Sequence, residues 1–205
     1  MDLQHQRWEK YYTEQKSRTN DDWLKNHADY FQPGMRILDL GCGNGSNIEY
    51  LLSQSGNIYV CDYSETAIRQ IKIKYPVTAI IADMREELPY RDKVFDIVIS
   101  DLSLHYFSED ETKIIMHELI RIMKRRGFLI GRVNSTHDIN HGAGKGIEIE
   151  RNYYDNKGEK KRFFDKEMIL ELFGSGFDIL QMKENRTNKY TDTKVVWEFV
   201  LRSPA

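Results

Sequence analysis

The stretch Ile37-Leu38-Asp39-Leu40-Gly41-Cys42-Gly43-Asn44-Gly45-Ser46-Asn47 decides the fold. Its apolar run, ending in Asp39-Leu40, reads as a buried parallel strand. The glycines after it predict a sharp turn, because backbone that must bend tightly and let a ligand approach excludes Cβ atoms. Beyond the turn, Ile48, Leu51 and Leu52 share one face of an amphipathic helix. Strand, glycine turn and helix make the front half of a βαβ nucleotide-binding unit. The start of its helix offers unpaired N–H groups to an acceptor such as a carboxylate.

Spacing narrows the ligand. A dinucleotide fingerprint puts its third glycine at position 46, where Ser46 stands. Asp39 at the strand end would repel a pyrophosphate, but it can pair with an ammonium group. Asn57–Asp62 reads as the second strand, and its terminal Asp62 lies ~20 residues past the turn, where a carboxylate can accept both hydroxyls of a ribose. Asp62 is expected to face that sugar and carry no core. Ser64 caps the following helix, which holds Ala67, Ile68 and Ile71 and stops at Tyr75-Pro76. Val77–Ala82 is the third strand, with Asp83-Met84 directly after it.

Val94–Ile99 is the fourth strand, leaving through Ser100-Asp101-Leu102-Ser103-Leu104-His105-Tyr106-Phe107. Ser108 and Glu111 form a capping box. Its helix is expected to carry Ile115, Leu119 and Ile122 and to end on Lys124-Arg125-Arg126, with Gly127 closing it. Phe128–Val133 is the fifth strand. Alternating strands and helices of this kind predict a parallel, doubly wound sheet.

Both flanks are less regular. Leu3 to Gln15 is expected to be a helix with Trp8, Tyr11 and Tyr12 on one face. A second helix, capped by Asn20 or Asp21, would turn Trp23, Leu24, His27 and Phe31 inward and end at Pro33-Gly34. Asn134 to Lys161 reads as a long Gly-, His- and charge-rich loop with weak strand signals near Ile147–Ile149, and such loops are usually functional or mobile. The basic run Lys157 to Arg162 reads as solvated loop. Asp165 caps a short helix, and Phe177–Met182 and Lys194–Leu201 are the last two strands. Val195, Trp197, Phe199 and Leu201 alternate in the last of them as in a half-buried strand.

A chain of 205 residues with net charge −2 and only two cysteines fits one globular domain in a reducing, cytoplasmic setting. No apolar run is long enough to cross a bilayer, and nothing global favours nucleic acid.

Four places together resemble the class I S-adenosylmethionine-dependent methyltransferases: Asp39 to Gly45, Asp62, Asp83-Met84, and Ser100 to Tyr106. More loosely, the chain resembles the small stand-alone bacterial members of the type 11 and tellurite-resistance groups. The resemblance implies a Rossmann-like doubly wound sheet of about seven strands, mostly parallel, with one antiparallel strand near the C-terminus. It implies S-adenosyl-L-methionine as cofactor and S-adenosyl-L-homocysteine as product. Carried over residue by residue, the cofactor would meet Tyr12, Asp39, Gly41, Cys42, Gly43, Asn44, Asp62, Tyr63, Asp83, Met84, Asp101 and Leu102. His105 would be the catalytic candidate, and His105, Tyr106, His137 and His141 would face the acceptor. Residues 1–32 would cover the cofactor, and residues 134–164 would form an insertion or lid in which Tyr153, Tyr154, Phe163 and Phe164 could cover an apolar acceptor. A small-molecule acceptor is expected, acted on by a monomer or homodimer without a metal. The alternatives are an RNA or protein acceptor, or a non-catalytic cofactor-binding protein. His137 and His141 have helical metal-ligand spacing, but the glycines after them argue against a helix there.

Overall fold

Apolar runs bounded by glycine turns and caps assemble side by side in the computed structural model. It describes residues 3–14 and 21–205, so Gln15 and Asn20 lie outside the described residues. The first half of the chain gives α1 (Leu3–Glu14), a 3₁₀ helix (Trp23–Tyr30), β1 (Arg36–Leu40), α2 (Ile48–Gln54), β2 (Asn57–Asp62), α3 (Glu65–Lys74), β3 (Thr78–Ile81) and β4 (Phe95–Asp101). There follow α4 (Glu109–Ile122), β5 (Met123–Asn134), β6 (Ile147–Glu150), β7 (Tyr153–Asn156), β8 (Glu159–Arg162), α5 (Lys166–Leu172), β9 (Asp178–Thr187) and β10 (Lys194–Arg202).

Seven strands form one sheet in the order β3-β2-β1-β4-β5-β10-β9. Neighbours from β3 to β5 are parallel, and β10 runs antiparallel to both β5 and β9. This is the Rossmann-like, mostly parallel sheet expected, with β10 as its reversed strand. The chain order reverses between β1 and β4, and open α/β sheets bind ligands beyond the carboxyl ends of the strands at such a point.

Successive side chains of a strand point to opposite faces, and both faces are covered. Leu38, Leu40, Val98, Leu129, Phe199 and Leu201 pack with α4 and α5 on one side. Ile37, Ile58, Val60, Ile97, Ile130 and Val200 pack with α2, α3 and the 3₁₀ helix on the other. Strand β10 is therefore not half-buried as its alternation suggested: Val196, Phe199, Val200 and Leu201 are all fully buried, because it lies between β5 and β9.

Local signals hold at three caps. Ser64 accepts from Ala67 N–H, Asp165 accepts from Met168 N–H, and Ser108 with Glu111 forms both halves of the capping box. Three expectations fail. Asp21 caps nothing, because its carboxylate is taken by the fully buried Arg132 guanidinium at 2.5 Å and by the Thr187 hydroxyl at 2.7 Å. The segment it was to cap is a 3₁₀ helix preceded by Asp22, which makes no side-chain cap. Helix α4 ends at Ile122, and Lys124-Arg125-Arg126 already belong to β5, where Lys124 pairs with Asp96 at 2.7 Å.

The third correction concerns residues 134–161. They hold a second, three-stranded antiparallel sheet in the order β6-β7-β8. Arg162 anchors it. Its guanidinium is buried against the Tyr153 ring at 4.7 Å, donates to the Arg151 carbonyl at 2.9 Å and pairs with Glu150. Tyr153 Oη donates to the Tyr106 carbonyl at 3.0 Å, which fastens this sheet to the exit of β4.

Candidate functional site

The carboxyl ends of β1, β2 and β4 open into a cavity of ≈ 290 Å³, walled also by α1, the small sheet and the β9–β10 connection. The glycine turn forms its floor. Gly41, Gly43 and Gly45 have φ of +71°, +52° and +78°, and a Cβ on Gly43 would lie 2.5 Å from the Tyr12 hydroxyl. Helix α1 thus brings Tyr12 directly onto the turn. Trp8 stacks on Tyr12, with ring centroids 5.6 Å apart, and meets Tyr106 edge-on at 5.3 Å.

Asp62 closes β2 at the cavity wall. Its Oδ2 accepts from Gly43 N–H and its Oδ1 from Ser64 N–H, each at 2.9 Å. One side chain so ties the glycine turn to the start of α3. Burial raises its pKa, and the two backbone donors oppose that rise. Contrary to the sequence expectation, Asp62 is a structural strut as well as a wall residue. Asp83 lines the cavity after β3, gripped by Arg85, whose Nη2 lies 2.6 Å away.

Asp101 leaves β4 buried, and burial alone would raise its pKa. Arg132 at 2.7 Å and Lys189 at 3.2 Å prevail and hold it well below the usual carboxylate range. Leu102 follows with φ +58°, its N–H donating to the Arg132 carbonyl at 3.0 Å. A left-handed leucine is strained, and such strain concentrates where side chains are aimed at a site. Ser103 then hydrogen-bonds the Leu40 carbonyl at 2.8 Å, locking the exit of β4 to that of β1.

Most residues expected to hold a cofactor do meet here: Tyr12, Gly41, Cys42, Gly43, Asn44, Asp62, Tyr63, Asp83, Met84, Asp101 and Leu102 all line the cavity. Asp39 does not. It is 1% exposed and lies behind the wall, and neither oxygen finds a full hydrogen bond among the described residues. Burial, then the neighbouring Asp101, push its pKa up to about 7. Asn47 gives it partial relief, with its own Oδ1 already taken by the Trp23 indole at 3.2 Å. Cys42 is no nucleophile, since burial and the nearby Asp62 keep its thiol protonated.

The histidines separate. His105 lines the cavity, and its Nδ1 has no partner among the described residues. Burial, then the charges of Lys194 and Lys161, hold its imidazole far below the ordinary range, so it is neutral at pH 7. His141 also lines the cavity, with Nδ1 2.9 Å from the buried Asp138 Oδ1. A carboxylate accepts, so Nδ1 is the donor in this pair. His137 lies outside the cavity, exposed and bound to Glu184 at 2.8 Å, because Glu184 of β9 draws both Ser135 and His137 away.

Of the terminal segments, α1 lines the cavity with Gln4, Arg7, Trp8, Tyr11 and Tyr12, whereas the 3₁₀ helix packs on the sheet elsewhere. From residues 134–164 come His141, Glu159 and Lys161. The aromatics Tyr153, Tyr154, Phe163 and Phe164 do not line it. Tyr153, Phe163 and Phe164 are buried and hold the small sheet in place. Arg7 of α1 reaches Glu159 of β8 at 3.2 Å, linking the two segments. Lys189, Tyr190 and Lys194 complete the wall, and sequence reasoning missed them, as it did Asp138. They are isolated residues outside any motif; only Asp138, three before His141, carried a usable signal. Among the described residues no cluster of three or more His, Cys, Asp or Glu could hold a metal, and no helix is long and apolar enough to cross a membrane.

Comparison with known proteins bears on this arrangement. A family described as "Methyltransferase domain" matches residues 38–131. An uncharacterized methyltransferase of Synechocystis is 30% identical over 104 residues, 51% of this chain and 48% of that protein. The mitochondrial arginine-hydroxylase NDUFAF5 of Homo sapiens is 33% identical over 96 residues, 46% and 27% of the two chains. The tRNA N(3)-cytidine methyltransferase METTL2 of Danio rerio is 27% identical over 178 residues, 80% and 49%. The chain thus spans half or less of the curated relatives it matches. Among solved structures, an S-adenosylmethionine-dependent methyltransferase from Methanosarcina mazei has the same fold, with TM-score 0.73 at 18% identity, covering 89% of this chain and 98% of that one.

Proposed function

We propose that this chain, which belongs to the class I S-adenosylmethionine-dependent methyltransferases, transfers a methyl group to a small molecule bound in the cavity beside His105 and His141. The residues present fit the cofactor. Asp62 has an oxygen lone pair left beside each backbone N–H it accepts, which suits two ribose hydroxyls. Ala82, Asp83 and Met84 offer an apolar shelf and a carboxylate to adenine, and Asp101 offers a charged carboxylate to an ammonium group. Tyr12, over the glycine turn, is placed to donate to a carboxylate.

When bound, S-adenosylmethionine supplies an activated methyl group on a sulfonium. The chain's own residues then have to orient an acceptor and exclude water, since effective concentration and a dry site contribute much of such a rate. Trp8, Tyr11, Tyr106 and Tyr190 form aromatic walls for this. His141, steered by Asp138, can take a proton at Nε2, and the neutral His105 can position the acceptor through Nδ1.

The observation that carries a small acceptor is the enclosure. Helix α1 and the small sheet meet through Arg7 and Glu159, leaving a pocket and not an open basic surface. In this reading α1 and residues 134–164 act together as the lid that selects the acceptor. The test incubates the protein with methyl-labelled donor and an extract that keeps its small molecules, then separates small molecules other than the donor, RNA and protein. Label in the small-molecule fraction supports the proposal; label confined to RNA or protein refutes it.

A further inference from the structure

Behind the donor cavity, one cation has both ends of its fork engaged. Arg132 of β5 is fully buried, with its guanidinium 4.4 Å over the Trp23 ring. The fork is divided between two carboxylates. Nε donates to Asp101 Oδ1 at 2.7 Å, and Nη1 and Nη2 donate to Asp21 at 2.5 Å and 3.2 Å. Asp21 also accepts from the Thr187 hydroxyl at 2.7 Å. A planar guanidinium held at both ends, with one face on a ring, has a single orientation left to it.

Stability alone does not call for this. A buried ion pair gains little more than the desolvation of its charges costs, and apolar side chains of similar volume serve a core as well. What the arrangement does produce is a fixed position for Asp101, the member of the cluster that lines the donor cavity beside Lys189. Strand pairing sets Asp101 opposite Arg132, and the Arg132 carbonyl accepts from the N–H of the left-handed Leu102 at 3.0 Å. One residue so holds the Asp101 carboxylate by its side chain and the strained turn after it by its backbone. Lys189 donates to the other Asp101 oxygen at 3.2 Å. Each carboxylate oxygen keeps a second lone pair for a ligand, and the charges of Asp21 and Asp101 balance those of Arg132 and Lys189. Burial alone would favour a protonated Asp101; Arg132, then Lys189, keep it charged.

We infer that Arg132 is a positioning residue for the amino-acid end of the methyl donor: it aims the Asp101 carboxylate at the ligand's ammonium group, and so makes the cavity distinguish ligands that carry this group from those that lack it. This rests on the methyltransferase reading and goes past it, since Arg132 belongs to none of the motifs and stands behind the cavity wall.

The test is calorimetry on the full chain with two ligands. One is S-adenosylhomocysteine; the other is its deamino analogue, 5′-S-(3-carboxypropyl)-5′-thioadenosine, which keeps the nucleoside, the sulfur and the carboxylate. The unsubstituted protein should bind the first at least about tenfold more tightly, the difference one charge-assisted hydrogen bond supplies. Asp101→Asn should erase that preference. Arg132→Lys keeps a buried cation between the two carboxylates but cannot span both. It should lose most of the preference while binding the analogue within about twofold of the original affinity. Asp21→Asn loosens the far end of the fork and should lower the preference by about threefold, half the free energy of a tenfold effect. Thermal unfolding checks each variant, and if Arg132→Lys does not fold, Asp21→Asn decides. A preference that survives Asp101→Asn, or that survives the substitutions at Arg132 and Asp21, would overturn the inference. Equal weakening of both ligands would overturn it too, because that is what a merely structural residue gives. If the unsubstituted protein binds both ligands equally, the inference fails and the methyltransferase reading stands; if it binds neither, that reading falls and takes the inference with it.

Discussion

Replacing Asp39 by Asn should stabilise the protein increasingly as pH rises. Asp39 is buried, and its pKa is pushed up to about 7 from an ordinary 3.8. The sign follows from which state holds the proton. Between those two values the folded chain keeps it and the unfolded chain has released it, so folding stability falls as pH rises. Each unit of separation is worth about 1.4 kcal/mol, so some three units give on the order of 4 kcal/mol, complete slightly above pH 7. Asn has the same shape and does not titrate. The stability of Asp39→Asn minus that of the unsubstituted protein should therefore grow by about 4 kcal/mol from pH 4 to pH 8 and then level off. Taking the difference cancels groups common to both proteins. One is His105, whose lowered pKa acts oppositely, its stability being lost as pH falls below the unfolded value near 6.5. Asp101 stays charged throughout, held by Arg132 and Lys189. Urea unfolding of both proteins at five pH values is the assay. A flat difference, or one that shrinks as pH rises, would refute a protonated, buried Asp39.

Three further outcomes are expected. Asp62→Ala should abolish measurable S-adenosylhomocysteine binding by calorimetry and also lower unfolding stability by about 2 kcal/mol, since the Gly43 and Ser64 N–H groups lose a buried acceptor; unchanged affinity would remove the ribose assignment. Gly43→Ala combines a left-handed φ with a Cβ 2.5 Å from the Tyr12 hydroxyl, so cofactor affinity should drop more than about tenfold by the same titration. Ser108→Ala breaks a complete capping box and should reduce urea stability by about 1 kcal/mol, with cofactor affinity unaltered.

Where the signals are local, they are legible. Periodicity placed β1, β2, β4 and their helices, and Ser64, Ser108 and Asp165 cap the helices they were expected to cap, because a cap needs only a side chain and the next turn of backbone. Lys124 to Arg126 misled for a tertiary reason. They suit a helix dipole, but Lys124 gains an ion pair with Asp96, and the Arg126 N–H gains the Pro204 carbonyl, by entering β5. Of the small sheet only β6 left a trace, the weak strand signals near Ile147–Ile149; β8 is Glu-Lys-Lys-Arg, held as a strand by its pairing with β7 and by tertiary contacts, Arg162 on Tyr153 and Tyr153 on Tyr106. The same distance effect hid Lys189 and Lys194. Each is one lysine in a hairpin near the C-terminus, brought to the cavity because β10 inserts beside β5.

The central claim is that the cavity over the glycine turn is built for the methyl donor and its product. Its most direct test is calorimetric titration of S-adenosylhomocysteine and of NAD into the purified chain. One S-adenosylhomocysteine per chain at a micromolar Kd, about −8 kcal/mol, with NAD at least about a hundredfold weaker, is the result expected. Tight NAD binding with no heat from S-adenosylhomocysteine would contradict it.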